Sequence, residues 1–191
     1  MAATLAVLAV LLAGWLVIGF CGPVWLPGPT ASVNGARIST GGSGITMRTD
    51  MSLGHREADV ASDAIQAELA RRSKAAVIAV ADVQGELVTL VRLDGAPPAS
   101  ILIAANKAWT AARERRPTRE IGQSARDPEA GFDMAYYGDP RYIGWGGGVP
   151  VVVEGSVVGA VAVSGLSEHE DMELAGIGVA AIVGMDATNR S

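Results

Sequence analysis

Lys107 and Thr110 are the residues of this 191-residue chain whose types and spacing most directly suggest ligand chemistry. With Ser100, Ile103 and Glu114 they recur at steps of three and four, so on a helix they share one line along its surface. An ammonium beside a hydroxyl suits an anionic or carbonyl-bearing ligand. The plainer alternative is a lysine that snorkels or bridges a backbone carbonyl, and a threonine that only packs. Gly146-Gly147-Gly148 can present backbone N–H groups to an anion, or simply let two backbones approach closely. Asp82 and Asp94 each follow a strand and precede a glycine-bearing turn, and turn hydrogen bonds account for both.

Histidine and cysteine counts are restrictive. Cys21 is the only cysteine, which excludes an intrachain disulfide and a thiolate zinc cluster. His55 and His169 are the only histidines, so a three-histidine zinc site is impossible and no metal site is expected. No Gly-x-Ser-x-Gly elbow accompanies them. The sequence thus holds no self-contained catalytic centre of a standard type, and whether the protein is an enzyme stays open at this stage. His55 lies near the start of a helix with Asp59 one turn on, where a carboxylate can orient an imidazole. His169 falls in the first turn of the last helix, where the dipole disfavours a cation, and reads as a surface residue.

A formal charge of −5 argues against a general nucleic-acid binder, which needs a basic face. The arginines between Arg113 and Arg126 are interrupted by Glu114 and Glu120 and read as a solvated helix end.

These residues must be held by elements. Ser52 to Arg72 forms a helix with Val60, Ala61, Ala64, Ile65 and Leu69 on one arc, although Glu57 and Glu68 intrude on it. Ala76–Ala81 and Glu86–Leu93 read as a hairpin turned at Gly85. Pro97 and Pro98 start a helix from Ala99 to Arg115, stopped by Pro117, and it carries the Lys107 line. Thr118–Trp145 is expected to be an irregular loop. It holds Phe132, Tyr136, Tyr137, Tyr142 and Trp145, either packed over the core or shaped around a ligand. Val149–Val153 and Ser156–Val163 form a second hairpin around Glu154-Gly155. Ser167 and Glu170 make a capping box for the last helix, whose face is Leu174, Ile177, Gly178, Ala181, Ile182 and Met185. An α+β domain follows, an antiparallel sheet of two hairpins covered by helices.

Residues 1–50 stand apart from the domain at 51–191. Ala2 to Phe20 is apolar, uncharged and about long enough to span a bilayer, and 23–44 reads as a Gly/Pro/Ser linker. The segment reads as a membrane-anchoring transmembrane helix with the domain in the cytoplasm, or as an extension ahead of a true start at Met47 or Met51. Export is the third alternative, weakened because no positive charge precedes Arg37.

Several blocks together resemble the GlcG/HbpS family of haem-binding, haem-degrading-type proteins. They are Ala79-Val80-Ala81-Asp82, Gly85-Glu86-Leu87-Val88, Arg92-Leu93-Asp94-Gly95-Ala96 and Lys107-Ala108-Trp109-Thr110-Ala111. Gly147-Gly148-Val149-Pro150, Gly155, Val158-Gly159-Ala160, Val163-Ser164-Gly165 and Asp171 continue the match in order. The resemblance covers Ser52 to Met185 and implies an α+β domain that assembles into homo-oligomers, octamers among them. It also implies haem as cofactor, in iron handling or redox sensing. Lys107 would then pair with a propionate, and Thr110 or His55 would be the axial ligand. Tyr136, Tyr137, Tyr142 and Trp145 would stack on the porphyrin or equally seal a subunit interface, with Ile103, Gly147 and Gly148 completing the site. Other members of the family occur beside glycolate-utilisation genes or fused to corrinoid adenosyltransferases. The alternative is therefore an accessory protein or enzyme acting on a small organic acid or corrinoid, with Lys107 as its anion-binding or acid group. An inert oligomeric scaffold is the third reading.

Overall fold

The computed structural model describes residues 49–189. Its helices are α1 (His55–Arg71), α2 (Ser100–Glu114), α3 (Thr118–Ala125) and α4 (Glu168–Asn189). Its strands are β1 (Val77–Asp82), β2 (Leu87–Arg92), β3 (Gly148–Val153) and β4 (Ser156–Ser164). The two hairpins join through β1 and β4 into one antiparallel sheet of order β2-β1-β4-β3. The expected α+β architecture, an antiparallel sheet covered by helices, is the one observed.

Alternation along the central strands creates two different cores. Ile78, Val80, Val161 and Val163 meet Ile65 and Leu69 of α1 and Leu174 and Ile182 of α4. Burying each such side chain contributes roughly 1.5–3 kcal/mol. Val77, Ala79, Ala81 and Ala162 face the other way, against Ala104 and Ala108 of α2. Ala111 and Ala112 continue that contact onto Ala160. The α2 side is thus a thin layer of methyl groups, and α2 alone covers the middle of that face.

Local chemistry explains the details that periodicity left awkward. Glu57 caps α1, accepting from the Gly54 N–H at 2.9 Å. Glu68 accepts from Arg71 and from Arg72, so both intruding carboxylates sit at helix ends with partners. In the second hairpin Glu154 and Gly155 both have positive φ, 50° and 75°, as a type I′ turn demands. Asp82 Oδ1 accepts from the Gln84 and Glu86 N–H groups and ties the first turn.

Two expectations are corrected. The stretch Thr118–Trp145 is not irregular throughout: Pro117 precedes a two-turn helix, α3, and a 3-10 turn spans Met134–Tyr137. Its polar, glycine-containing sequence hides the short apolar stripe that buries Ile121. The second correction concerns the expected transmembrane helix, membrane association and membrane-anchored location. Among the described residues no helix is long and apolar enough to cross a membrane. Even α4, at 22 residues, opens with Glu168, Glu170, Asp171 and Glu173. Residues 2–20, and with them the N-terminal apolar helix, lie outside the described residues.

Candidate functional site

A cleft of about 400 Å³ opens at the end of the sheet where β4 turns into α4. Pro97, Ser100, Ile103 and Lys107 line it from α2 and the residues before it. Ser164, Gly165 and Leu166 line it from the end of β4, and Glu168 and Asp171 from the first turns of α4. Trp145 and Gly146 close the remaining side.

At its floor lies a buried ion pair. Lys107 Nζ donates to Asp171 Oδ2 at 2.9 Å and to the Val163 carbonyl at 3.0 Å. The two side chains are 3% and 4% exposed, so water does little to screen them. Asp171 Oδ1 accepts from the Leu166 N–H at 3.2 Å, so both carboxylate oxygens are engaged. Burial nevertheless raises the Asp171 carboxyl above the ordinary carboxylate range. The Lys107 ammonium and the Leu166 and Gly165 N–H groups oppose that shift.

The pair exists because β3 starts late. Its ladder with β4 begins at Gly148 opposite Ala162, leaving the Val163 carbonyl open for the ammonium. Lys107 passes through that gap from the α2 face to reach α4. Gly147 flanks the passage at φ 115°, and a Cβ there would lie 2.9 Å from Lys107 Nζ and 2.7 Å from the Val163 oxygen. Thr118 fastens this segment: its hydroxyl contacts the Trp145 carbonyl at 2.6 Å and accepts from the Gly148 N–H at 3.0 Å. Glu168 takes the Gly146 N–H at 2.7 Å and pairs with Arg119 of α3.

The structure therefore brings together Lys107, Ile103 and Trp145, with Gly147 beside the ammonium. Gly148 packs its backbone against the Lys107 carbonyl. Thr110 is placed elsewhere. It is wholly buried, donating to the Arg141 carbonyl at 3.2 Å and accepting from the Ile143 N–H at 3.3 Å. Tyr137 also sits away from the cleft, stacked on Tyr142 at 3.8 Å. His55 is exposed at the start of α1. The far end of that helix, at Arg72, meets Glu173 near the start of α4. Across 17 residues His55 is therefore about 25 Å from the cleft.

Haem was the cofactor implied, and neither nominated axial donor fits. The Thr110 hydroxyl is consumed by backbone, and the His55 imidazole is a helix length away. Among the described residues no group of three or more His, Cys, Asp or Glu could hold a metal ion.

Sequence reasoning missed Asp171 as a site residue. Its helical phase was the available signal, because one turn before Leu174 and Ala175 it falls on the buried side of α4. A buried acid needs a cation, and Lys107 is the buried cation of α2.

Comparison with known proteins agrees with this architecture. Protein GlcG of Escherichia coli K12 is 36% identical over 118 residues, 62% of this chain and 85% of that protein. The Klebsiella pneumoniae protein ORFY superposes with a TM-score of 0.68 at 26% identity, covering 74% of this chain and 97% of that one. A double mutant of Streptomyces reticuli HbpS gives a TM-score of 0.62 at 28% identity, covering 76% and 95%. Residues 53–180 match the family model described as "Haem degrading protein HbpS-like", so this chain, with α2 over the middle of one face and Lys107 crossing to the other, belongs to the HbpS-like family.

Proposed function

We propose that the protein binds a small ligand in the cleft between α2 and α4, holding a carbonyl or carboxylate oxygen on Lys107. One observation carries this reading. Lys107 has three N–H donors, two are used by Asp171 and Val163, and the residue lines an open cleft. A buried donor left without a partner is costly, which makes the third N–H a strong recognition point. Pro97, Ile103, Leu166 and the half-exposed Trp145 ring supply apolar walls for the body of the ligand.

The test is a thermal-shift and calorimetric screen of small carbonyl and carboxylate compounds against the full chain. Binders should raise Tm, and Ile103→Trp, which fills the cleft from a partly exposed position, should abolish the shift while leaving the fold intact. No stabilisation by any compound would overturn the reading.

A haem-binding role in iron handling or redox sensing is the second reading, supported by the family description and the likeness to HbpS. A Soret shift on hemin titration that survives both His55→Ala and Thr110→Val would carry it, with ligation by another group. An unchanged spectrum at micromolar hemin rules it out.

A further inference from the structure

Charge in the cleft is already balanced, and that restricts what can enter. Lys107 is the only cation among the lining residues, facing Asp171 at 2.9 Å and sharing the space with Glu168. Glu168 has its own partner, Arg119. Further out on α4, Glu170 pairs with Lys74 and Glu173 with Arg72 of the α1 end. From β4 and the 145–148 segment no titratable side chain lines the cleft, and the Val163 carbonyl is the backbone group bonded to the ammonium. Every described carboxylate around Asp171 is therefore matched by a cation, and Lys107 has one spare N–H but no spare charge.

A carboxylate seated on that N–H would place a second anion against one ammonium, beside a buried Asp171. Two carboxylates sharing a desolvated site do not both stay ionised. Building on the ligand-binding reading above, we infer that the cleft takes a small monocarboxylic acid with an apolar body. One proton from solvent is taken up with it, onto a carboxylate oxygen of Asp171. No covalent bond of the ligand changes. The net charge of the buried cluster is then the same before and after binding, and the ligand inherits the ammonium that Asp171 held. Burial, which already pushes the Asp171 carboxyl upward, favours the same outcome. A dicarboxylate is excluded on the same ground, because its second group would meet Glu168 with no lining cation left for it.

The experiment is isothermal titration of the full chain with butyrate, butyramide and succinate, each in two buffers of different ionisation enthalpy. Between the free-state and the bound-state pKa of Asp171, butyrate should bind with uptake of about one proton and its Kd should weaken by about tenfold per pH unit. Butyramide should bind with no pH dependence, and succinate at least about tenfold more weakly than butyrate. Asp171→Asn should keep butyrate binding and lose its pH slope. If that variant fails to fold, the acid–amide contrast in the unaltered protein decides alone. A flat butyrate profile, zero proton uptake, or succinate binding as tightly as butyrate overturns the inference and leaves the ligand-binding reading standing. If none of the three probes binds, the inference falls, and if Ile103→Trp leaves binding unchanged, the reading falls with it.

Discussion

The two ends of α2 carry polar residues from one helical line to opposite fates. At the N-terminal end Ser100, Ile103 and Lys107 face a cleft, and Lys107 keeps a donor in reserve. At the C-terminal end Thr110 and Glu114 are covered by the 126–145 loop. There the Arg113 and Arg141 guanidiniums lie over the Trp109 indole, at 4.7 and 4.1 Å, with Tyr142 edge-on at 5.0 Å. Tyr137 stacks on Tyr142, meets Phe132 edge-to-face, and its hydroxyl is 3.4 Å from Glu114. Burial raises both tyrosine hydroxyls, helped by the Glu114 carboxylate. The lesson concerns what covers a polar group. Lys107 keeps one side open to the cleft, whereas the Thr110 hydroxyl is enclosed by loop backbone.

That contrast can be broken by substitution, and the largest effect is expected at the cleft end. Lys107→Met leaves Asp171 buried without its cation and should cost roughly 3–5 kcal/mol in urea unfolding. Adding Asp171→Leu should restore most of the loss, because an apolar pair of similar volume has no charge to desolvate. If the double variant is no more stable than the single one, the buried-charge account fails. Gly147→Ala comes next, at about 1–3 kcal/mol for a residue forced to positive φ. It should also abolish ligand-induced stabilisation, since the added methyl would occupy the passage of the ammonium. At the sealed end Thr110→Val removes one donor and one acceptor and should cost about 1–2 kcal/mol, with ligand binding untouched. A loss of binding there would erase the distinction between the two ends.

The smallest effect sharpens the comparison through pH. Arg141 holds the Asp139 carboxyl at about 2, below its ordinary 3.8, chiefly by side-chain hydrogen bonds. The stability this provides is present above 3.8 and lost as pH falls toward 2. Asp171 has the opposite sign. Its raised pKa gives a contribution that is complete below the unfolded value and disappears as pH rises through the folded one. Asp139→Asn should therefore lower Tm slightly at neutral pH and match the parent protein near pH 2, whereas Asp171→Asn should change most on the neutral side. Tm against pH for both variants checks it.

Much of this arrangement was readable from residue order. The hairpins announced themselves through Gly85 and Glu154-Gly155, and the three- and four-residue steps placed Ser100, Ile103 and Lys107 on one line. The partner of Lys107 was not readable, because Asp171 is 64 positions away and periodicity along one helix says nothing about which other helix it meets. The fate of Thr110 was hidden for a different reason. Its partners are main-chain atoms of residues 141 and 143, which every residue type carries alike. Tyr137 and Trp145 looked equivalent as loop aromatics. They parted because Thr118 fixes the Trp145 end of the segment against β3 while the Tyr137 end folds onto Trp109.

The methyl-lined contact between α2 and the sheet has a mechanical consequence. Ala104 and Ala108 against Ala79 and Ala162 set how near the helix axis rides to the strands, and a lysine side chain has a fixed reach. One more carbon in that seam would lift α2 and shorten the overlap between the ammonium and the carboxylate on the far side. The width of the cleft is therefore gauged by residues that do not line it.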